Sequence, residues 1–253
     1  MPSRTDILQF LQRKAQSILQ PLHEGQDSLK YESLRRLDDS IRRLDAHNAA
    51  LRDLTVSVLS SRWLTAPDVL ASRNEVGFWL NWLGLAGEGV EVGVYKGEFS
   101  FHLLNTWECR RLTSIDPWKE FASSEYIDAL NVSREDQERN CREAMTRLAA
   151  FGERSNVVRA TSSEGACQIA DRTLDFAYID AQHHYEAVRE DLLAWYPKVR
   201  SGGVLGGHDY LDGAIPSGVY GVKRAVDDFA AARGVEIIVT REPVWKSWFM
   251  RMP

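Results

Sequence analysis

Cysteine is scarce in this chain of 253 residues, which holds only Cys109, Cys141 and Cys167, with no C-x-x-C spacing among them. An odd, scattered set excludes a disulfide framework and a zinc ribbon, and leaves free thiols of a reducing compartment whose ordinary use is packing. Long apolar runs are missing as well. The longest, Phe78 to Ala86, is interrupted by Asn81 and falls far short of the roughly 20 residues that a membrane span needs. Met1 to Phe10 carries no apolar stretch behind its charges, so no secretory signal is read there and a cytoplasmic protein is expected. Excess positive charge is also lacking. The formal charge is -5 with bases interleaved among acids, which removes the electrostatic footprint of a dedicated nucleic-acid binder. Neither G-x-G-x-x-G after a strand nor the G-K-[ST] of a phosphate loop is found, which counts against a nicotinamide-dependent oxidoreductase.

What is present is 44% hydrophobic content, enough for one α/β domain with a real core and an appendage. Residues up to about 60 read as a helical extension, broken near Pro21 and Gly25. Leu34, Leu37, Ile41, Leu44, Asn48, Leu51, Thr55 and Val58 form a heptad seam, and Asn48 falls where a buried asparagine sets register. Two readings stand: a coiled coil that joins two chains, or a helix packed on its own domain. Residues 61–253 read as the second domain.

In that domain strands and helices alternate. Strands are expected at Val90 to Val94, Leu112 to Ile115, Val157 to Ala160, Phe176 to Ile179 and Val204-Leu205. Helices are expected at Asn74 to Leu85, Ser100 to Trp107, Arg134 to Phe151, Ser163 to Ala170, Tyr185 to Lys198 and Val219 to Ala232. The alternation predicts an α/β fold with a doubly wound, mostly parallel sheet. Val235 to Thr240 and Val244 to Met250, joined by Arg241-Glu242-Pro243, predict an antiparallel hairpin at its edge.

Two strand ends bear acids, Tyr178-Ile179-Asp180 and Gly206-Gly207-His208-Asp209, one helix-length apart. A parallel crossover sets such ends side by side at about 4.8 Å. Asp180 and Asp209 then supply hard oxygen ligands for a divalent cation, and His208 is either a third ligand or orients the others. His183, just beyond Asp180, has the intrinsic pKa of a general base near neutrality, with His184 as the second choice. Capping or plain exposure is the bland reading for either.

Glu91-Val92-Gly93-Val94-Tyr95-Lys96-Gly97 is a strand running into a glycine turn before a helix start. Such a turn lets backbone approach a ligand closely and offers N–H groups to an anion. Asp116 ends the second strand some 20 residues on, where an α/β nucleotide site places its acceptor for ribose hydroxyls. The other reading of Asp116 is a helix cap before Pro117.

Through Glu91-x-Gly93-x-x-x-Gly97, Ser114-Ile115-Asp116 and the terminal strand pair, residues 75 to 250 resemble the class I S-adenosylmethionine-dependent methyltransferases. Tyr178 to His183, Asp191 to Trp195 and Gly202 to Tyr210 are similar to bacterial metal-dependent O-methyltransferases of sugar hydroxyls. The resemblance implies a Rossmann-like, seven-stranded sheet and S-adenosyl-L-methionine as methyl donor. It implies that Gly93, with Tyr95 and Gly97 in the same turn, holds the methionine moiety and that Glu91 lies near its ammonium. Asp116 would take the ribose, Trp118 would cover the adenine, and Ser162 or Ser163 would lie at its edge. A divalent metal, Mg²⁺ first, would sit on Asp180, Asp209 and His208, with His183 as base. In related catechol-type enzymes a carboxylate stands at the His208 position and a lysine at that of His183. The implied acceptor is a hydroxyl-bearing small molecule or glycan, a sugar or a glycosylated natural product; a phenol is the alternative, and a non-catalytic dimeric scaffold the competing class. Trp118 to Asn131 and Asp212 to Val219 are the loops expected to shape its pocket, with Tyr210, Asp212 and Tyr220 as candidate lining residues.

Overall fold

All six residues of Leu174–Ile179 (β4) are buried, five of them apolar or aromatic and the sixth, Asp175, paired with Arg200, as expected of a strand covered by helices on either side. It is the middle of a sheet in a computed structural model that describes residues 70–122, 128–216 and 218–253. The heptad seam and the rest of the helical extension lie outside those residues. Helix α1 is Val76–Trp82, followed by β1 (Glu88–Val92), α2 (Glu98–Thr106), β2 (Arg111–Asp116), α3 (Arg134–Leu148), β3 (Ser155–Arg159) and α4 (Ser162–Cys167). After β4 come α5 (Tyr185–Trp195), β5 (Val199–Gly207), β6 (Asp212–Ile215), β7 (Gly218–Gly221), α6 (Val222–Ala231), β8 (Ile238–Val239) and β9 (Trp248–Arg251).

The main sheet has seven strands in the order β3-β2-β1-β4-β5-β9-β8. The first five are parallel, and β9 runs antiparallel to both β5 and β8. This is the doubly wound sheet with an antiparallel terminal pair that the alternation predicted. Strand order reverses between β1 and β4, so their carboxyl ends open the crevice where α/β sheets bind ligands. One face of the sheet packs Val92, Ile115, Ala177, Leu205 and Trp248 into the main core, with Val226 of α6 among the residues that cover them. Among the described residues no helix is long and apolar enough to cross a membrane.

Three elements differ from expectation. β5 spans nine residues instead of two, because Ser201-Gly202-Gly203 continues the strand although it reads as a breaker. The helix expected from Val219 starts at Val222, because Gly218–Gly221 pairs with Asp212–Ile215 as a separate two-stranded hairpin. The terminal strands are short, and residues 240–247 between them form a loop in place of a tight turn.

Candidate active site

The turn after β1 is built around one glycine. Gly93 has φ of +88°, and a Cβ there would stand 1.8 Å from the carbonyl oxygen of Asp180. Only glycine permits both the left-handed backbone and that approach. Asp116, at the end of β2, holds the turn: its Oδ2 accepts the N–H groups of Val94 (2.8 Å) and Tyr95 (2.9 Å), and its Oδ1 accepts that of Trp118 (2.7 Å). No helix starts at Pro117, so Asp116 is a clamp on the turn and not a helix cap. Burial pushes its carboxyl pKa up against the pull of those N–H groups. A carboxylate has about four lone-pair sites, so one remains for a ligand.

A cavity of about 310 Å³ opens over this turn, lined by Gly93, Tyr95, Asp116, Ser162, Ser163 and Asp180 among others. Five of the sequence-derived candidates thus meet a candidate metal ligand in one space. Gly97 caps α2 with φ of +75° and serves the turn from behind. Glu91 and Trp118 require correction. Glu91 is 1% exposed and off the cavity wall; its Oε2 accepts the hydroxyl of Ser100. Burial, opposed by that bond, raises its pKa to about 8, so it carries little charge for an ammonium at neutral pH. Trp118 is 1% exposed, packed on Val94, Cys141 and Ala144, with its indole N–H given to the Tyr95 carbonyl at 2.7 Å. Its ring belongs to the core, and Pro117, Lys119 and Phe121 face the cavity in its stead.

Across the sheet, Ile179 and Gly207 are register partners of β4 and β5, which places Asp180 beside His208-Asp209 as the strand ends implied. Asp180, His183 and Asp209 converge, each offering a ligand atom within 4.8 Å of the others. His183 Nε2 lies 3.1 Å from Asp209 Oδ2 and 3.8 Å from Asp180 Oδ1. His208 Nδ1 is 3.7 Å from Asp180 Oδ2 and 2.8 Å from Asp209 Oδ1. His184 takes the N-cap position of α5 without a side-chain capping bond and stands outside the cluster.

Asp128 and Arg73 complete the surroundings of this cluster, and sequence reasoning named neither. Asp128 Oδ2 is 2.8 Å from His183 Nδ1, and Arg73 Nη1 donates to Asp180 Oδ2 at 3.2 Å. Burial alone would lower the pKa of His183, but Asp128, Asp180 and Asp209 raise it to about 10. Burial pushes Asp180 up, while His183, His208 and Arg73 outweigh it and hold the carboxyl below its usual range. The ring of Tyr220 stacks on His183 with centroids 4.9 Å apart, and Trp245 stands 5.8 Å beyond. Tyr210 turns away and gives its hydroxyl to Asp227. Asp191, quoted from the sequence only as part of a motif and given no role, did leave a signal: it breaks the apolar row Val188, Asp191, Leu192, Trp195, the buried face of α5, where an acid is the anomaly.

Sheet order, the reversed last strand and a crevice between a glycine turn and strand-end acids together define the class I methyltransferase fold. Residues 90–210 match the family described as a methyltransferase domain. An O-methyltransferase from Bacillus cereus solved with SAH is 16% identical over 78% of this chain and 88% of its own, with a TM-score of 0.51. Cofactor-bound Rv0187 from MTB is 15% identical over 79% of this chain and 88% of that one, at 0.51. TomG from Streptomyces achromogenes, in complex with SAM, is 18% identical over 76% and 86%, at 0.50. At such identities the likeness is one of fold. No curated protein matches the chain.

Proposed function

We propose that this protein is a metal-dependent O-methyltransferase that moves the methyl group of S-adenosylmethionine to a hydroxyl of a sugar or glycosylated natural product. The observation that carries this reading is the position of Asp180, which lines the cavity over the glycine turn and also belongs to the Asp180, His183, Asp209 cluster. Donor and acceptor halves therefore share a wall.

The donor needs no protein nucleophile, because its sulfonium already activates the methyl group. The acceptor oxygen attacks that carbon, the C–S bond breaks, S-adenosylhomocysteine leaves, and the hydroxyl proton passes to a base. The chain's tasks are alignment, deprotonation and exclusion of water. Gly93 and the Asp116 clamp shape the donor seat, and Ser162 and Ser163 border its far end.

The residues present fit a divalent cation. His183 Nε2 and Asp209 Oδ1 are buried and neither makes a well-directed hydrogen bond, and three carboxylates surround one imidazole. Two carboxylates and an imidazole suit Mg²⁺, and also Mn²⁺ or Fe²⁺. Asp180, Asp209 and Nε2 of His183 would hold it, and it would orient an acceptor hydroxyl and favour loss of its proton. This exchanges the roles expected of the two histidines: Nδ1 of His183 is engaged by Asp128 and its Nε2 by the cluster, so the base is His208 at the rim. The exposed ring of Trp245, backed by Tyr220, suits the flat side of a sugar ring, and equally a phenol.

Labelled methyl transfer against sugar, macrolide and phenolic acceptors, with and without chelator, tests the reading. Metal-dependent methylation of a sugar hydroxyl is the expected result; full activity in excess chelator overturns the metal, and transfer to phenols alone overturns the acceptor. The protein acts in the cytoplasm on a small molecule, with no nucleic-acid partner, and two chains pair through the 34–58 seam. Light scattering of Leu37→Asp with Leu44→Asp should then report a monomer where the native chain is a dimer.

A further inference from the structure

Resting on that reading, one contact of the metal cluster comes from outside both the cavity and the strand ends. Arg73 Nη1 donates to Oδ2 of Asp180 at 3.2 Å, and His208 Nδ1 stands on the same side at 3.7 Å. Oδ1 of the same carboxylate faces Nε2 of His183 at 3.8 Å. The two oxygens of Asp180 are thus divided, one toward a permanent cation and one toward the cluster. Arg73 does not line the cavity that Asp180 borders, so its effect on the site passes through that carboxylate.

The guanidinium is fixed before any ligand arrives. Its carbon lies 5.0 Å from the centre of the Phe99 ring, where a cation is drawn to the aromatic face. The backbone that carries it is pinned along its length. The Arg241 N–H is given to the Leu70 carbonyl at 3.0 Å, the Ala71 N–H to Oε2 of Glu75 at 2.9 Å, and the Asn74 N–H to Ser72 Oγ at 3.2 Å. Burial would lower the pKa of Arg73, but Tyr178, Asp180 and Glu91 outweigh it and raise it, so the group stays charged throughout the working range of pH.

We propose that Arg73 is a positioning residue that occupies Oδ2 and restricts Asp180 to one ligand oxygen, Oδ1, so that the site accepts a small octahedral cation and discriminates against Ca²⁺. A carboxylate can give a divalent cation one oxygen or both. Ca²⁺ gathers many oxygens in a loose shell and readily takes both from one carboxylate, whereas a smaller octahedral ion takes one at each position. An ion held by both oxygens of Asp180 would share Oδ2 with the Arg73 N–H and stand beside its positive charge. Selectivity is then set from the segment ahead of α1, and not by the cluster alone.

The test is isothermal titration of the full chain with Mn²⁺ alone and with Ca²⁺ alone. The native protein should prefer Mn²⁺ by about 10²-fold or more. Arg73→Met keeps an apolar stem for Phe99 but ends short of Oδ2; the preference should fall by roughly 10-fold. Loss of a positive charge moves two ions of equal charge alike, and a merely structural role weakens both alike, so the ratio reads how many oxygens Asp180 offers. Arg73→Lys returns a cation to Oδ2 and should restore most of the preference, because the native contact is made through one nitrogen. Arg73→Gln, also too short, carries the test where Arg73→Met does not fold. An unchanged ratio in the short variants overturns the proposal, as does a loss in Arg73→Lys equal to theirs. Equal binding of both ions by the native protein overturns it alone, whereas binding of neither overturns the metal site with it.

Discussion

Nδ1 of His183 lies 2.8 Å from Oδ2 of Asp128, a residue 55 positions earlier in the chain. A carboxylate on one ring nitrogen fixes the tautomer and aims the other nitrogen, here toward Asp209 and Asp180. Asp128→Ala should therefore lower affinity for Mn²⁺ by about 10- to 100-fold, read by titration of the metal alone, while affinity for S-adenosylhomocysteine changes little. Undiminished metal binding would remove His183 from the ligand set.

The two halves of the site should separate at Asp209, which belongs to the metal cluster but does not line the cavity. Asp209→Ala is expected to abolish metal-stimulated turnover and to leave S-adenosylhomocysteine affinity within a few fold. His208→Ala is expected to retain the metal and lose roughly 10²-fold in rate. If His208→Ala instead loses the metal at native rate per bound ion, the two histidines hold the roles first expected from the strand ends.

No such separation is available at Gly93. Alanine there adds left-handed strain and a carbon 1.8 Å from the Asp180 carbonyl, next to a peptide whose N–H is bound to the Val92 carbonyl at 2.7 Å. Gly93→Ala should cost about 3 kcal/mol or more of stability and should impair donor binding and metal binding together. Thermal unfolding and the two titrations check this, and loss of donor binding alone would show the turn to be independent of the Asp180 strand end.

The parts of this site that were readable in the sequence are those set by period and position along a strand. The apolar run through Phe176 to Ile179, the acids closing it and its neighbour, and Gly93 and Asp116 follow from parallel strands ending at one edge. Residues on the coil beyond those ends were not readable, because no periodicity governs them. Asp209 has φ of +52°, and this left-handed step accompanies the arrangement in which His183 as well as His208 stands against the two acids. Trp118, likewise at positive φ, was expected over a ligand and is core. The β6–β7 hairpin escaped notice because Gly213, Pro216 and Gly218 mark turns, and β6 is exposed along its whole length, leaving no alternation to detect. Asp128 sits in a loop where one acid resembles any other until the fold brings it to His183.

Glu91 gives a prediction that needs no ligand. Its carboxyl is buried, and desolvation, only partly offset by Ser100, lifts its pKa from 4.5 in the open chain to about 8 in the fold. Below pH 4.5 both states hold the proton; between 4.5 and about 8 the unfolded chain has lost it and the folded one keeps it. The folded state then binds more protons, so stability falls as pH rises through that window and levels off above it. Glu91→Gln removes this dependence while retaining an acceptor for the Ser100 hydroxyl. Melting temperatures measured from about pH 5 to pH 9 should converge or cross, the variant gaining on the native protein toward the alkaline end. Parallel curves would mean that Glu91 is already ionised inside the fold, with a cation such as Arg73 holding it so.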